Sequence, residues 1–62
     1  MKKIKAKNVE TGQRVFLEKS IFNVIGKKIM NGKVVITVQS IGRTAPEVKT
    51  KHYDPNADIN LS

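Results

Sequence analysis

The stretch Ile21-Phe22-Asn23-Val24-Ile25-Gly26-Lys27-Lys28-Ile29-Met30-Asn31-Gly32-Lys33-Val34-Val35-Ile36-Thr37-Val38-Gln39-Ser40 places Asn31-Gly32 between two apolar runs. Asn-Gly in that setting predicts a two-residue type I′ turn, because both central positions need positive φ and these two residues tolerate it best. In an uninterrupted register Ile29 faces Val34, Gly26 faces Thr37 and Ile25 faces Val38. Val34, Ile36 and Val38 then share a face with Ile25, Lys27 and Ile29, while Phe22 and Val24 fall on the other. One extra residue repairs the conflict, since a slip of one moves every side chain across the sheet. Gly26 marks the place, because an isolated glycine in a strand pattern signals a bulge or sharp bend. The expectation is therefore a long, bent hairpin.

Outward from the hairpin the pattern stays short and alternating. Lys2–Val9 sets Ile4 and Ala6 against Lys3, Lys5 and Lys7, which reads as a first, lysine-guarded edge strand. Glu10-Thr11-Gly12-Gln13 is a turn in which Gly12 supplies the unusual φ. Arg14–Lys19 is a second strand with Val15 and Leu17 on one face and Arg14, Phe16 and Glu18 on the other, and Lys19-Ser20 is a short break. After Ile41, Gly42-Arg43-Thr44-Ala45-Pro46 is a loop. Glu47–Tyr53 alternates Val48, Thr50 and His52 with Lys49, Lys51 and Tyr53. Asp54-Pro55-Asn56 is a turn, and Ala57–Leu61 has the makings of a final short strand. No window carries sustained helical spacing. The predicted fold is all-β, a small five-stranded antiparallel barrel in one domain spanning 1–62. Its expected core is Ile4, Ala6, Val15, Leu17, Phe22, Val24, Ile29, Val34, Ile36, Val38 and Val48.

Composition narrows the function classes. Sixty-two residues from Met1 read as one short open reading frame, and a domain of this size buries only about 60% of its unfolded surface. There is no cysteine, which removes disulfides and thiolate metal sites. The opening Met1-Lys2-Lys3-Ile4-Lys5-Ala6-Lys7 lacks the apolar segment of a signal peptide, and no run nears the roughly 18 apolar residues of a membrane span. The expectation is a cytoplasmic protein. The net charge is +7 and lies in the first half: residues 1–33 carry nine cations against Glu10 and Glu18, whereas 34–62 is balanced. Such asymmetry points to a polyanion, with a merely solubilising lysine surface as the plain alternative.

Val9-Glu10-Thr11-Gly12-Gln13-Arg14-Val15-Phe16-Leu17, Phe22-Asn23-Val24, the Val34–Val38 strand and Asp54-Pro55-Asn56 together resemble small SH3-like barrel proteins of phages and bacteria, with a start like that of KOW domains. Val15-Phe16-Leu17, Gly26 and Lys51-His52 are similar to Sm-like barrels of the Hfq type. The first resemblance implies an SH3-like barrel and partners that are RNA, DNA or protein; the second implies a homo-oligomeric ring.

Catalytic candidates are poor. His52 is the single histidine; Asp54 lies two residues on, with Ser20, Ser40 and Thr50 as candidate hydroxyls, and chance explains that set better than a triad. His52, Asp54 and Asp58 match no metal-loop signature, so neither a metal, a cofactor nor an enzyme activity is expected. Nucleic acid fits more residues. Arg14 and Phe16 share an outward face, Lys49, Lys51 and Tyr53 share another, and Lys27, Lys28 and Lys33 surround the hairpin tip, supplying phosphate contacts and stacking surfaces with little sequence preference. The alternative is a phage-type module that binds and modulates an acidic host protein: Ile21, Ile25, Val35 and Ile41 cannot all enter one small core, and an apolar strip outside it would mark a partner or self-association site.

Overall fold

The computed structural model describes residues 2–42 and 44–62; Met1, and Arg43 in the loop expected after Ile41, lie outside the described residues. The chain forms β1 (Lys3–Lys5), a 3-10 turn (Ala6–Asn8), β2 (Arg14–Leu17), β3 (Ser20–Met30), β4 (Lys33–Ser40), β5 (Val48–Tyr53) and β6 (Asp58–Leu61). All six strands join one antiparallel sheet in the order β1-β6-β2-β3-β4-β5. Six strands pair rather than five, and β1 and β5 end the sheet without pairing to each other, so the ladder does not close into a barrel.

The hairpin turns at Asn31 and Gly32 with φ of +53° and +74°, as a type I′ turn requires. From Met30↔Lys33 to Gly26↔Thr37 the register runs as the turn dictates. It then shifts by one, pairing Val24 with Val38 and leaving Ile25 as the surplus residue. Cross-strand partners share a face. The shift therefore puts Phe22 and Val24 on the side of Val34, Ile36 and Val38, and all five are buried. The bulge sits beside Gly26, but Gly26 is not forced to be glycine. A Cβ there would meet Thr37 at an ordinary 3.6 Å, and its φ is not left-handed.

One apolar cluster takes residues from both halves of the sheet. Val15 of β2 and Ile59 of β6 meet Val34, Ile36 and Val38 of β4, with Ile4, Leu17, Leu61 and Tyr53 packed around them. A single sheet can bury both its ends in one cluster only by curling over, and the eleven-residue β3, bent at Ile25, is the strand both halves share. The 3-10 turn plugs the cluster from the side. Ala6 and Val9, three residues apart, point inward and are fully buried. The turn is tied to the segment between β5 and β6, where the Ala6 and Lys7 amides donate to the Ala57 and Pro55 carbonyls at 2.8 and 3.0 Å. The expected strand Lys2–Val9 thus stops at Lys5, because a pleat would have sent Ala6 and Val9 to opposite faces.

Three expectations about burial are corrected. Ile29, placed in the core, is 61% exposed: it faces Val34, but β2 covers only Ser20–Asn23 of β3, so the hairpin arm has no strand on its free side. Val48, also placed in the core, is 56% exposed, because Val34↔Tyr53, Ile36↔Lys51 and Val38↔Lys49 turn the lysine face of β5 inward. Val35, expected on the surface, is buried on the outer face between its cross-strand partners Lys28 and His52. In a central strand, the stems of long flanking side chains can cover such a residue.

The break expected at Lys19-Ser20 is a second type I′ turn. Glu18 and Lys19, neither of them glycine, hold φ of +50° and +65° between the paired Leu17 and Ser20. A left-handed non-glycine residue costs about 1–2 kcal/mol. Chemical denaturation should accordingly find Lys19→Gly stabilising by about 1 kcal/mol, Gly32→Ala destabilising by about 1 kcal/mol, and Gly26→Ala within about 0.5 kcal/mol of the parent. A Gly26→Ala loss as large as that of Gly32→Ala would contradict this assignment of the bend to the surplus Ile25.

Candidate nucleic-acid interface

Ion pairs take up particular lysines and leave others without a carboxylate among the described residues. On the core side, Lys49 and Lys51 of β5 both reach Glu18 in the β2–β3 turn, with Nζ to Oε2 and Oε1 distances of 2.5 and 2.9 Å. Glu47 adds a longer contact to Lys49 at 3.7 Å, and the Lys49 ammonium lies 5.8 Å from the centre of the Phe22 ring. The lysine stems lie along the core while their charged ends meet a carboxylate. Tyr53, next on the same face, packs against the core, and burial pushes its phenol pKa up. Lys33 at the hairpin tip pairs with Asp54, and Lys5 with Asp58 at 3.0 Å. Lys27 bends back to donate to the Lys7 carbonyl at 2.5 Å.

Of the residues singled out for polyanion contact, Lys33, Lys49 and Lys51 are therefore held by carboxylates, and Tyr53 faces the core. Arg14, Phe16 and Lys28 face outward, and neither Arg14 nor Lys28 has a carboxylate partner among the described residues; the same holds for Lys2, Lys3, Lys7, Lys19 and Lys27. Among the described acidic residues, only Glu10 is without an ion pair.

Register assembles the outer face. Phe16 of β2 lies between Ile21 of β3 and Asn60 of β6, and Asn60 pairs in turn with Lys3 of β1. One step along, Arg14 pairs with Asn23, which pairs with Gln39 of β4. Beside Phe16 a groove of about 440 Å³ opens, bounded by Arg14, Phe16, Lys19, Ile21 and Ile41, with Ser20 and Ser40 on its wall and the buried Phe22 at its base. Phe16 is half-buried, and Ile21 and Ile41 are 42% and 38% exposed. Next to Ile41, the Ser40 amide donates to the Glu47 carbonyl and the Glu47 amide donates to Ser40 Oγ. The structure thus gathers residues that the sequence had divided between two partner classes. Ile25 is 45% exposed but belongs to the bulge, outside this groove. Lys19, Asn23 and Asn60 were not singled out from sequence, since only the pairing places Asn60 beside Phe16 and only the tight turn brings Lys19 to the groove.

No protein-family model, curated protein or solved structure matches this chain. Among the described residues no helix is long and apolar enough to cross a membrane, and no three of His, Asp and Glu gather as a metal-binding group.

The lysine pair holds the Glu18 carboxyl at a pKa of about 2, below its ordinary 4.5, through hydrogen bonds from Lys49 and Lys51. A depressed carboxylate pKa adds stability above the unfolded value that is lost as pH falls through the folded one. The stability difference between the parent and Glu18→Gln is therefore expected at neutral pH and should shrink as pH drops from about 4.5 towards 2. Thermal melts across that window test it; a difference that does not change with pH would show that the triad contributes nothing.

Proposed function

We propose that the protein binds nucleic acid, mainly through phosphate contacts and with little sequence preference, using the outer face of β1, β6, β2 and the first half of β3. The observation that carries this reading is the sorting of charge. The carboxylates are spent on Lys5, Lys33, Lys49 and Lys51, leaving Lys3, Arg14 and Lys19 without carboxylate partners around an aromatic ring and a row of amides. Unpaired cations attract phosphates, and Asn and Gln both donate and accept hydrogen bonds without choosing one base. The same sorting removes Lys33, Lys49 and Lys51 from the expected contact surface. We further propose that the curled sheet is an open relative of SH3-like barrels with an added N-terminal strand; the order β6-β2-β3-β4-β5 and the long bent β3 support this.

A second reading, a module docking on an acidic host protein, draws on the exposed Ile21 and Ile41. A stoichiometric partner retained after nuclease treatment favours it.

Titration with single- and double-stranded DNA and RNA across salt tests the first reading. Affinity should fall steeply as salt rises, because each neutralised phosphate releases counterion. Arg14→Gln should lower the magnitude of the log–log salt slope by about 1, whereas Lys33→Gln, whose ammonium is already paired with Asp54, should leave it nearly unchanged. Absence of binding at low salt rejects the reading.

A further inference from the structure

We infer that the groove beside Phe16 seats one unstacked base of a single-stranded nucleic acid. The inference rests on the nucleic-acid reading above and adds to it the state of the strand.

The walls have the required chemistry. Phe16 offers an aromatic surface, and Ile21 and Ile41 supply exposed apolar sides. A base can stack or lie flat against such walls whatever its identity, which gives affinity without sequence choice. The volume of about 440 Å³ falls within the roughly 300–1,000 Å³ of small-ligand sites. That is room for a nucleotide and too little for a paired, stacked duplex.

Charge around the groove is one-sided. Arg14 and Lys19 both line it, and among the described residues no carboxylate does. Glu18, the chain neighbour of Lys19, is turned to the core side by its bonds to Lys49 and Lys51. A base between these cations would place its flanking phosphates within reach of both. Polar edges are present as well. Ser40 Oγ accepts from the Glu47 amide, which leaves its hydroxyl proton free to donate, and Ser20 lies on the same wall. Asn23 and Asn60 flank Arg14 and Phe16 across the sheet.

A duplex cannot use such a groove without extruding a base, at the cost of unstacking and unpairing it. A single strand offers its bases at little cost. The preference for single strands should therefore reside at Phe16, apart from the phosphate contacts of the same face.

The test uses the intact protein and fluorescence anisotropy at low salt with three labelled probes of about eight nucleotides, within the usual range for one small barrel. These are oligothymidylate, an abasic strand with the same phosphates, and a duplex of the same length. Oligothymidylate should bind roughly tenfold to a hundredfold tighter than the abasic strand, the range that one base on an aromatic ring commands. Phe16→Ala should erase that ratio while leaving the abasic affinity and its salt dependence in place. Because Phe16 is half-buried, Phe16→Tyr and Ile41→Ser serve beside it: the first should keep the ratio, and the second, at the base of a surface loop, should reduce it severalfold. Equal, salt-dependent binding of all three probes overturns the groove assignment and leaves the phosphate reading standing. If no oligonucleotide binds but a glutamate-rich apolar peptide does, both fall in favour of a protein partner.

Discussion

A sheet that buries one face cannot tolerate a side-chain parity error, and β3 carries one by design. Its first half must present Phe22 and Val24 to the core, and its second half must pair with Val34 and Ile36 under the register dictated by Asn31-Gly32. Those demands differ by one residue, and Ile25 absorbs the difference. Without the surplus residue, either Phe22 and Val24 or the inner side chains of β4 would face water. Burial of each such side chain is worth about 1.5–3 kcal/mol, a large share of the stability of a domain this small. The bend that comes with the surplus residue lets the two halves of the sheet share one core.

The strand ladder does not close the curl, since β1 and β5 do not pair; side chains tie β5 back to the β2–β3 turn. Glu18 sits in a left-handed turn between β2 and β3, and its two carboxylate oxygens take lysines from β5, two strands away in the sheet. Exposed ion pairs contribute little one by one. Here one carboxylate is shared by two ammonium groups whose stems already lie along the core, so little further freedom is lost in holding it. A strained turn persists when its surroundings over-determine it, and two lysine contacts on one side chain supply that constraint.

Elements governed by local rules were legible in the sequence. The Asn31-Gly32 turn, the extra residue near Gly26, the Gly12 turn with its φ of +97° and the alternating strands all follow from backbone preference and period two. Placement that depends on which strands meet was not. Alternation put Val48 and Lys49 on opposite faces correctly, but the apolar-inside rule chose the wrong face, because it does not foresee lysine stems lying over a core with their charges paired elsewhere. Val9 and Ile59 entered the core unannounced, the first through a 3-10 turn too short to leave a periodic signature and the second through pairing with β1. Glu18-Lys19 broke the residue preference for type I′ turns, so the sequence marked only a break, one residue late at Lys19-Ser20, and not the turn type.

The same blindness to pairing applies to charge. Counting alone put the positive excess in the first half of the chain, and that excess remains after the ion pairs form. What counting could not see is that the carboxylates would select particular lysines. Asp54 takes Lys33, one of the three lysines around the hairpin tip, and Glu18 takes both lysines of β5. Arg14, with Phe16, is left uncompensated and gains Lys19 and Lys3 through turn geometry and register. A polyanion meeting this surface exchanges water and counterions for phosphate without first breaking an ion pair. At Lys33 or on β5 it would have to displace a carboxylate before gaining anything, and on the hairpin arm Lys27 and Lys28 have no aromatic ring beside them, whereas Arg14 has Phe16 on the same face of β2.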